Sequence, residues 1–220
     1  MYKLKCLSVI AMAIGLLSIG MSAMAEEGSA FTAADAKNFL NDMQKASFGD
    51  LSISGNSITY YSPNGTVQCQ CEYEFVGKET VSFQGEEFDW YKFQLKSTEE
   101  QCSDYKYLIA TKVHSHEDGM THWHMRYGSS NFEDLMNNPK YAMWYPTLAV
   151  DGTTVEDLAQ DYQEEAAMMG AIMLAVRESA VSLEDWNGKW INTGIMLEDP
   201  TMENLYDDMA DAANAAMGST

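Results

Sequence analysis

TVQCQCEYEF, Thr66–Phe75, is the stretch that decides the fold. Val67, Cys69, Cys71, Tyr73 and Phe75 fall on one side of a two-residue period, and Gln68, Gln70, Glu72 and Glu74 on the other. Side chains of an extended strand alternate between faces, so this pattern predicts a strand with one face in a core and the other in water. Phe88 to Leu95 and Tyr105 to His116 carry a similar alternation. Turn-forming residues punctuate residues 50–127 at Gly55-Asn56, Pro63-Asn64-Gly65, Gly77 and Gly85. About seven short strands with hairpin-length connections predict a mainly β protein, an antiparallel sandwich or closed barrel.

Helical patterns flank this region. Phe31 to Gln44 reads as a helix with Thr32 as its N-cap, and Asn131 to Met136 as a short one. Asp151-Gly152-Thr153-Thr154 opens a long helix in which Val155, Leu158, Tyr162, Ala166, Met169, Met173 and Val176 form an apolar stripe. Methionines in that stripe (Met168, Met169, Met173) read as helix packing rather than as soft ligands for copper. SLEDWNGKWINTG follows at Ser182–Gly194, then an acidic helix from about Thr201 to Ala216.

The chain opens with Lys3 and Lys5, an apolar run from Cys6 to Met21, and Ala23-Met24-Ala25 before two glutamates. A basic start, a short apolar core and a small-x-small site describe a secretory signal over residues 1–25, which places the mature protein in the periplasm or outside the cell. No later segment is long and apolar enough to span a bilayer. Losing that leader, which holds two lysines and no acid, moves the formal charge from −20 to −22. Such a surface repels nucleic acid and anionic membranes. Cys69, Cys71 and Cys102 remain, and a bridge from one of the first two to Cys102 is expected in an oxidising compartment; metal ligation by the thiolates is the weaker alternative, because the C-x-C lacks a partner pair.

All four histidines lie in VHSHEDGMTHWHM, Val113–Met125: His114, His116, His122 and His124. Both pairs are H-x-H, so on strands each pair shares a face, and Asp118-Gly119 between them is a turn signal. A hairpin built this way gathers four imidazoles, and three or four converging nitrogens match the tetrahedral shell of zinc. Trp123, between His122 and His124, is expected to face away from the metal. The five tryptophans read as core and barrel-end plugs.

Three blocks resemble the ZinT (YodA) family of periplasmic zinc-binding proteins. HWHMRYGSSNFEDLMNNPKYAMWYP (122–146) is similar to that family's H-F-H strand, glycine turn and W-P-T-Y-Y-P segment. GDLSISGNSITYY (49–61) with QCEYEFVGKETVSF (70–83) resembles its early barrel strands, and SLEDWNGKWINTG its opening D-W-x-G-x-W strand. The resemblance implies a calycin or lipocalin-like antiparallel β-barrel with flanking α-helices. Because the block that opens the family's barrel comes last here, it implies a circular permutant: one ZinT-like domain over 26–220, with the main barrel in 31–150, a bridging helix over 153–180, and the displaced first strand and helix in 182–216. The protein is then a monomer, or a dimer that exchanges this strand.

The resemblance also implies the ligands. His122 and His124 map onto the H-F-H pair, and His114 fits the family's third histidine more closely than His116. The family's aspartate before that histidine has no counterpart, since Val113 and Ser115 flank His114. If His116 joins, four histidines close the shell; otherwise a water, Glu117 or Asp118 completes it. The cargo implied is zinc, or cadmium among other divalent ions, and the partner implied is the solute-binding protein of a zinc ABC importer. The family's histidine-rich N-terminal segment is missing from EEGSAF, residues 26–31. Competing readings are a three-histidine zinc hydrolase, a cupin-like metalloenzyme and a lipocalin-like small-molecule binder; against catalysis, no further histidine exists, and Glu117 and Asp118 fall in the turn, a poor place for precise proton transfer.

Overall fold

The protein is described here by a computed structural model that covers residues 32–83, 86–96, 100–115, 120–141, 144–167 and 182–218. The signal segment 1–25, the turn 116–119 with His116, and Met168, Met169 and Met173 lie outside the described residues. The chain divides into two units.

The first unit, Asp42–Thr153 with Glu178–Met196, is an antiparallel barrel. β1 (Asp50–Ser54) and β2 (Ser57–Tyr61) form a tight hairpin whose corner, Gly55, sits at φ 58°. β3 (Val67–Phe83), β4 (Glu86–Leu95) and β5 (Tyr107–Ala110) follow as a meander. β6 (His114–Ser115), β7 (Thr121–Gly128), β8 (Thr147–Val150) and β9 (Gly188–Asn192) complete the set. The order is β5-β4-β3-β2-β1-β9-β8-β7, and β7 pairs back onto β5, so eight strands close on themselves. β6 extends the same edge of β7 that β5 occupies further along.

Two expectations from the sequence need correction. Gly77 does not turn the chain. It sits at φ 142° at a register shift between Phe75 and Gly77, a β-bulge inside a single 17-residue strand, because a glycine absorbs the odd backbone angle of a bulge without ending the ladder. Tyr105 to His116 is not one strand either. A 3-10 helix, Glu100–Tyr105, takes its start. Between β5 and β6, Thr111 binds His124 through both its N–H and its hydroxyl, which accepts the His124 N–H in place of a ladder carbonyl. Within β3, Cys69, Cys71 and Tyr73 are buried, whereas Val67 and Phe75 are 62% and 39% exposed. Register shifts at both ends of the segment, at Tyr60/Tyr61 and at Phe75/Gly77, break the alternation there.

The interior is aromatic. Phe48, Tyr60, Tyr105 and Tyr127 pack ring on ring, with Tyr60 stacked on Tyr105 at 4.1 Å, and Ser47 Oγ bonds the Tyr105 and Tyr127 hydroxyls. Trp123, Trp186 and Trp190 are buried with them, while Trp90 is buried in a separate cluster outside the barrel and Trp144 is half-buried. β9 is tied in by side chains as well as by its ladders. Trp190 Nε1 donates to the Trp186 carbonyl, Trp186 Nε1 to that of Thr111, and Asn192 Nδ2 to that of Phe48. Cys71 and Cys102 form a disulfide, which pins the 3-10 helix to β3.

The second unit draws on Met1–Asn41, Thr154–Arg177 and Leu197–Thr220, and its described residues are largely helical. α1 (Ala33–Gln44) starts on Thr32, which exchanges hydrogen bonds with Asp35; its last residues belong to the barrel unit. A short helix of the barrel unit, α2 (Phe132–Asn137), is capped by Asn131. α3 (Val155–Ala167) repeats the Thr32 device with Thr154 and Asp157, and α4 is Glu203–Gly218. Lys37 pairs with Glu198 at 2.7 Å, and Tyr206 donates to the Leu197 carbonyl.

Deleting residues 182–220 leaves β1 and β8 as bare edges, which template association with other chains. The truncated protein is expected to aggregate in size-exclusion chromatography; a soluble monomer with an intact barrel spectrum would refute the closure role of β9. Reducing Cys71–Cys102 releases a loop of 31 residues and should lower stability by about 3–4 kcal/mol through the entropy of the unfolded chain. That loss reads out as a lower urea midpoint with the cooperative transition retained.

Candidate metal centre

β7 divides its side chains between two environments. Trp123, Met125 and Tyr127 enter the core, so His122 and His124 stand on the opposite, outward face. β6 lies antiparallel to β7 with His114 directly across from His122, and on the other side β8 sets Ala149 across from His122 and Thr147 across from His124. Cross-strand register therefore brings a third imidazole to the H-x-H pair. Ring centroids are 4.3 Å apart for His114 and His122, 5.4 Å for His114 and His124, and 5.0 Å for His122 and His124. His122 is buried; His114 and His124 are half-buried.

The ligand nitrogens of the three all lie within 4.8 Å of one another. Nitrogens that share a tetrahedral zinc, at bonds of about 2.0–2.1 Å, stand about 3.3 Å apart. Small ring rotations close that difference.

The outer contacts assign the tautomers. His114 Nδ1 lies 2.9 Å from the Lys112 carbonyl and His122 Nδ1 lies 2.9 Å from that of Met120. A carbonyl only accepts, so both rings carry their proton on Nδ1. His124 Nδ1 meets Thr147 Oγ1 at 3.0 Å, and that hydroxyl donates to the Tyr145 carbonyl, so its oxygen accepts from His124. All three rings thus hold Nδ1–H outward and bear their lone pair on Nε2, the form that binds a metal.

The Tyr145 ring packs edge-on to His124 at 5.7 Å. Burial pushes its phenol up to about 12, with the nearby Arg126 charge opposing, so it holds its proton at neutral pH. Arg126 lies under it, 4.5 Å from the ring and 5.3 Å from that of Trp90. Its guanidinium donates to the Trp144 and Leu135 carbonyls, and burial lowers its pKa. This cation fixes the aromatic wall beside His124.

Among the sequence-predicted ligands, the structure brings His114, His122 and His124 together, and His116 lies outside the described residues. Sequence reading missed Thr147 and the carbonyls of Lys112 and Met120. The threonine follows the Tyr-Pro pair in the block resembling the family, a signal available in principle; the carbonyls leave no trace in residue identity.

No curated protein sequence matches the chain. One solved structure with a match is titled "Crystal structure of Zn(II)-bound AdcA from Streptococcus pneumoniae"; the TM-score is 0.46 at 16% identity, covering 62% of this chain and 27% of that one. This chain therefore corresponds to about a quarter of that protein's length. Among the described residues no helix is long and apolar enough to cross a membrane. The family profile described as ZinT (YodA) periplasmic lipocalin-like zinc-recruitment matches residues 8–162, most of the closed barrel and the whole histidine ribbon, and the chain belongs to that family.

Proposed function

We propose that this protein captures zinc outside the cytoplasm on His114, His122 and His124 and yields it again, serving metal uptake or buffering. The observation that carries this reading is the common tautomer: three rings from two paired strands turn the same nitrogen free of its proton, each held by an oxygen behind it. Family membership supports zinc as the cargo. Imidazole donors accept cadmium by the same chemistry, so cadmium is a second cargo in this reading. His116, or a carboxylate of the 116–119 turn, is the fourth ligand we assign.

A carrier fits the surroundings better than a catalyst. Carbonyls and a threonine hydroxyl hold the three Nδ1 atoms, and the aromatic ring beside His124 keeps its phenol proton, an arrangement that orients ligands rather than shuttling protons near pH 7. We further read residues 1–25 as an export signal and the chain as a monomeric circular permutant of the ZinT barrel, in which the last strand takes the first position. A strand-swapped dimer is the competing arrangement. The partner we assign is the solute-binding component of a zinc importer.

Isothermal titration tests the ligands. The wild-type protein should take one zinc per chain, and the double variant His122→Ala/His124→Ala should lose at least about 100-fold in affinity with an unchanged near-ultraviolet spectrum. Unaltered binding in that variant sinks the assignment. Thr147→Val keeps the side-chain shape but removes the acceptor behind His124, and a loss of about tenfold is expected.

Acid should release the metal. Protons compete for the same nitrogens, so protonation opposes binding and affinity falls as pH drops through the histidine range near about 6.5. Zinc retained undiminished at about pH 5 would point to carboxylate ligands instead.

A further inference from the structure

The barrel interior holds a second set of metal-binding atoms, with donors unlike the first. Cys69 and Cys71 project inward from β3, and Cys102 meets them from the 3-10 helix Glu100–Tyr105. All three are buried, and their sulfurs lie within 4.8 Å of one another. Cys71 and Cys102 are bridged, and the sulfur of Cys69 lies 3.7 Å from that of Cys71.

A bridge that ties the 3-10 helix to β3 needs two cysteines. The third is set against the bridge, within a core of largely aromatic and aliphatic side chains. Two thiolates that share one tetrahedral ion, at metal–sulfur bonds of about 2.3 Å, stand about 3.8 Å apart. Cys69 and Cys71 already have that spacing. Cys102 reaches the same point once its bond to Cys71 is broken, by side-chain rotation from a Cα only 5.9 Å from that of Cys71.

We propose that Cys69, Cys71 and Cys102 form a redox-gated site for a soft d10 cation, closed while the disulfide stands and opened when a dithiol reduces it. The reductant passes two electrons and two protons to the bridge and becomes a cyclic disulfide; Cys71 and Cys102 become thiols. The entering divalent ion then displaces the three thiol protons to solvent. An all-sulfur donor set selects soft ions over those that imidazole and oxygen favour, so the two centres differ in cargo as well as in gating. Loss of the bridge removes the covalent tie between the 3-10 helix and β3, while the hydrogen bond from the Tyr73 hydroxyl to the Tyr105 carbonyl still holds the two together.

The test uses the full chain with Cd(II) as probe, followed by sulfur-to-cadmium charge-transfer absorption, a band that imidazole ligands do not produce. The oxidised protein should show little of it. After reduction by a phosphine and anaerobic removal of the reductant, the protein should gain one equivalent of cadmium with the amplitude of three thiolates. Cys69→Ser leaves the bridge intact, so its oxidised form keeps the wild-type fold. Once reduced, this variant should lose about a third of the amplitude and at least about tenfold in affinity, since a direct ligand matters at least as much as an outer contact. A reduced, folded protein without the band overturns the proposal. So does a Cys69→Ser variant that binds like wild type, or a reduced protein that loses its near-ultraviolet signal before cadmium is added. Each of these results leaves the zinc titration at the histidines unaffected, so the two readings fail separately.

Discussion

The barrel depends on one pairing above the rest: β9 between β1 and β8. Leu51 faces Trp190 across one ladder and Leu148 faces Asn192 across the other. Without this strand both neighbours present unpaired backbone groups, each of which costs free energy when removed from water unsatisfied. Trp190 also brings an indole that lies edge-on to Trp123, so the closing strand buttresses the inward face of β7. What holds β7 in place holds His122 and His124 in place.

That coupling follows from the two-residue period of a strand. A slip of one residue in β7 would turn the imidazoles into the barrel core and Trp123 out of it. The large indole, fully buried, therefore fixes the register of the histidine cluster by weight of apolar area. Cross-strand pairing does the rest, because His114 joins by standing opposite His122, with no dependence on its distance along the chain.

Much of this was legible in residue identity. The inward Cys69, Cys71 and Tyr73, the inward Trp123 between outward histidines, and the Thr32 and Thr154 helix starts all follow from local chemistry that the fold does not override, whereas bulges at either end of Thr66–Phe75 turn Val67 and Phe75 out of the pattern. Gly77 misled because a bulge and a turn make the same demand on backbone angle; only the partner strand decides between them. The choice of Cys71 over Cys69 for the bridge was illegible for a related reason: both share one face of β3, and the position of the 3-10 helix selects between them. The carbonyls behind His114 and His122 are likewise beyond sequence, since every residue has one. In each case the missing information lies in how distant segments come to rest against one another.

The closing strand is also the last of the barrel to be translated. A ribosome that has delivered residues up to β8 has made every stave but one, and the cylinder stays agape until Asn192 has emerged some forty residues later. Until then the facing edges of β1 and β8 stay open, and a partly made chain offers both of them to its neighbours.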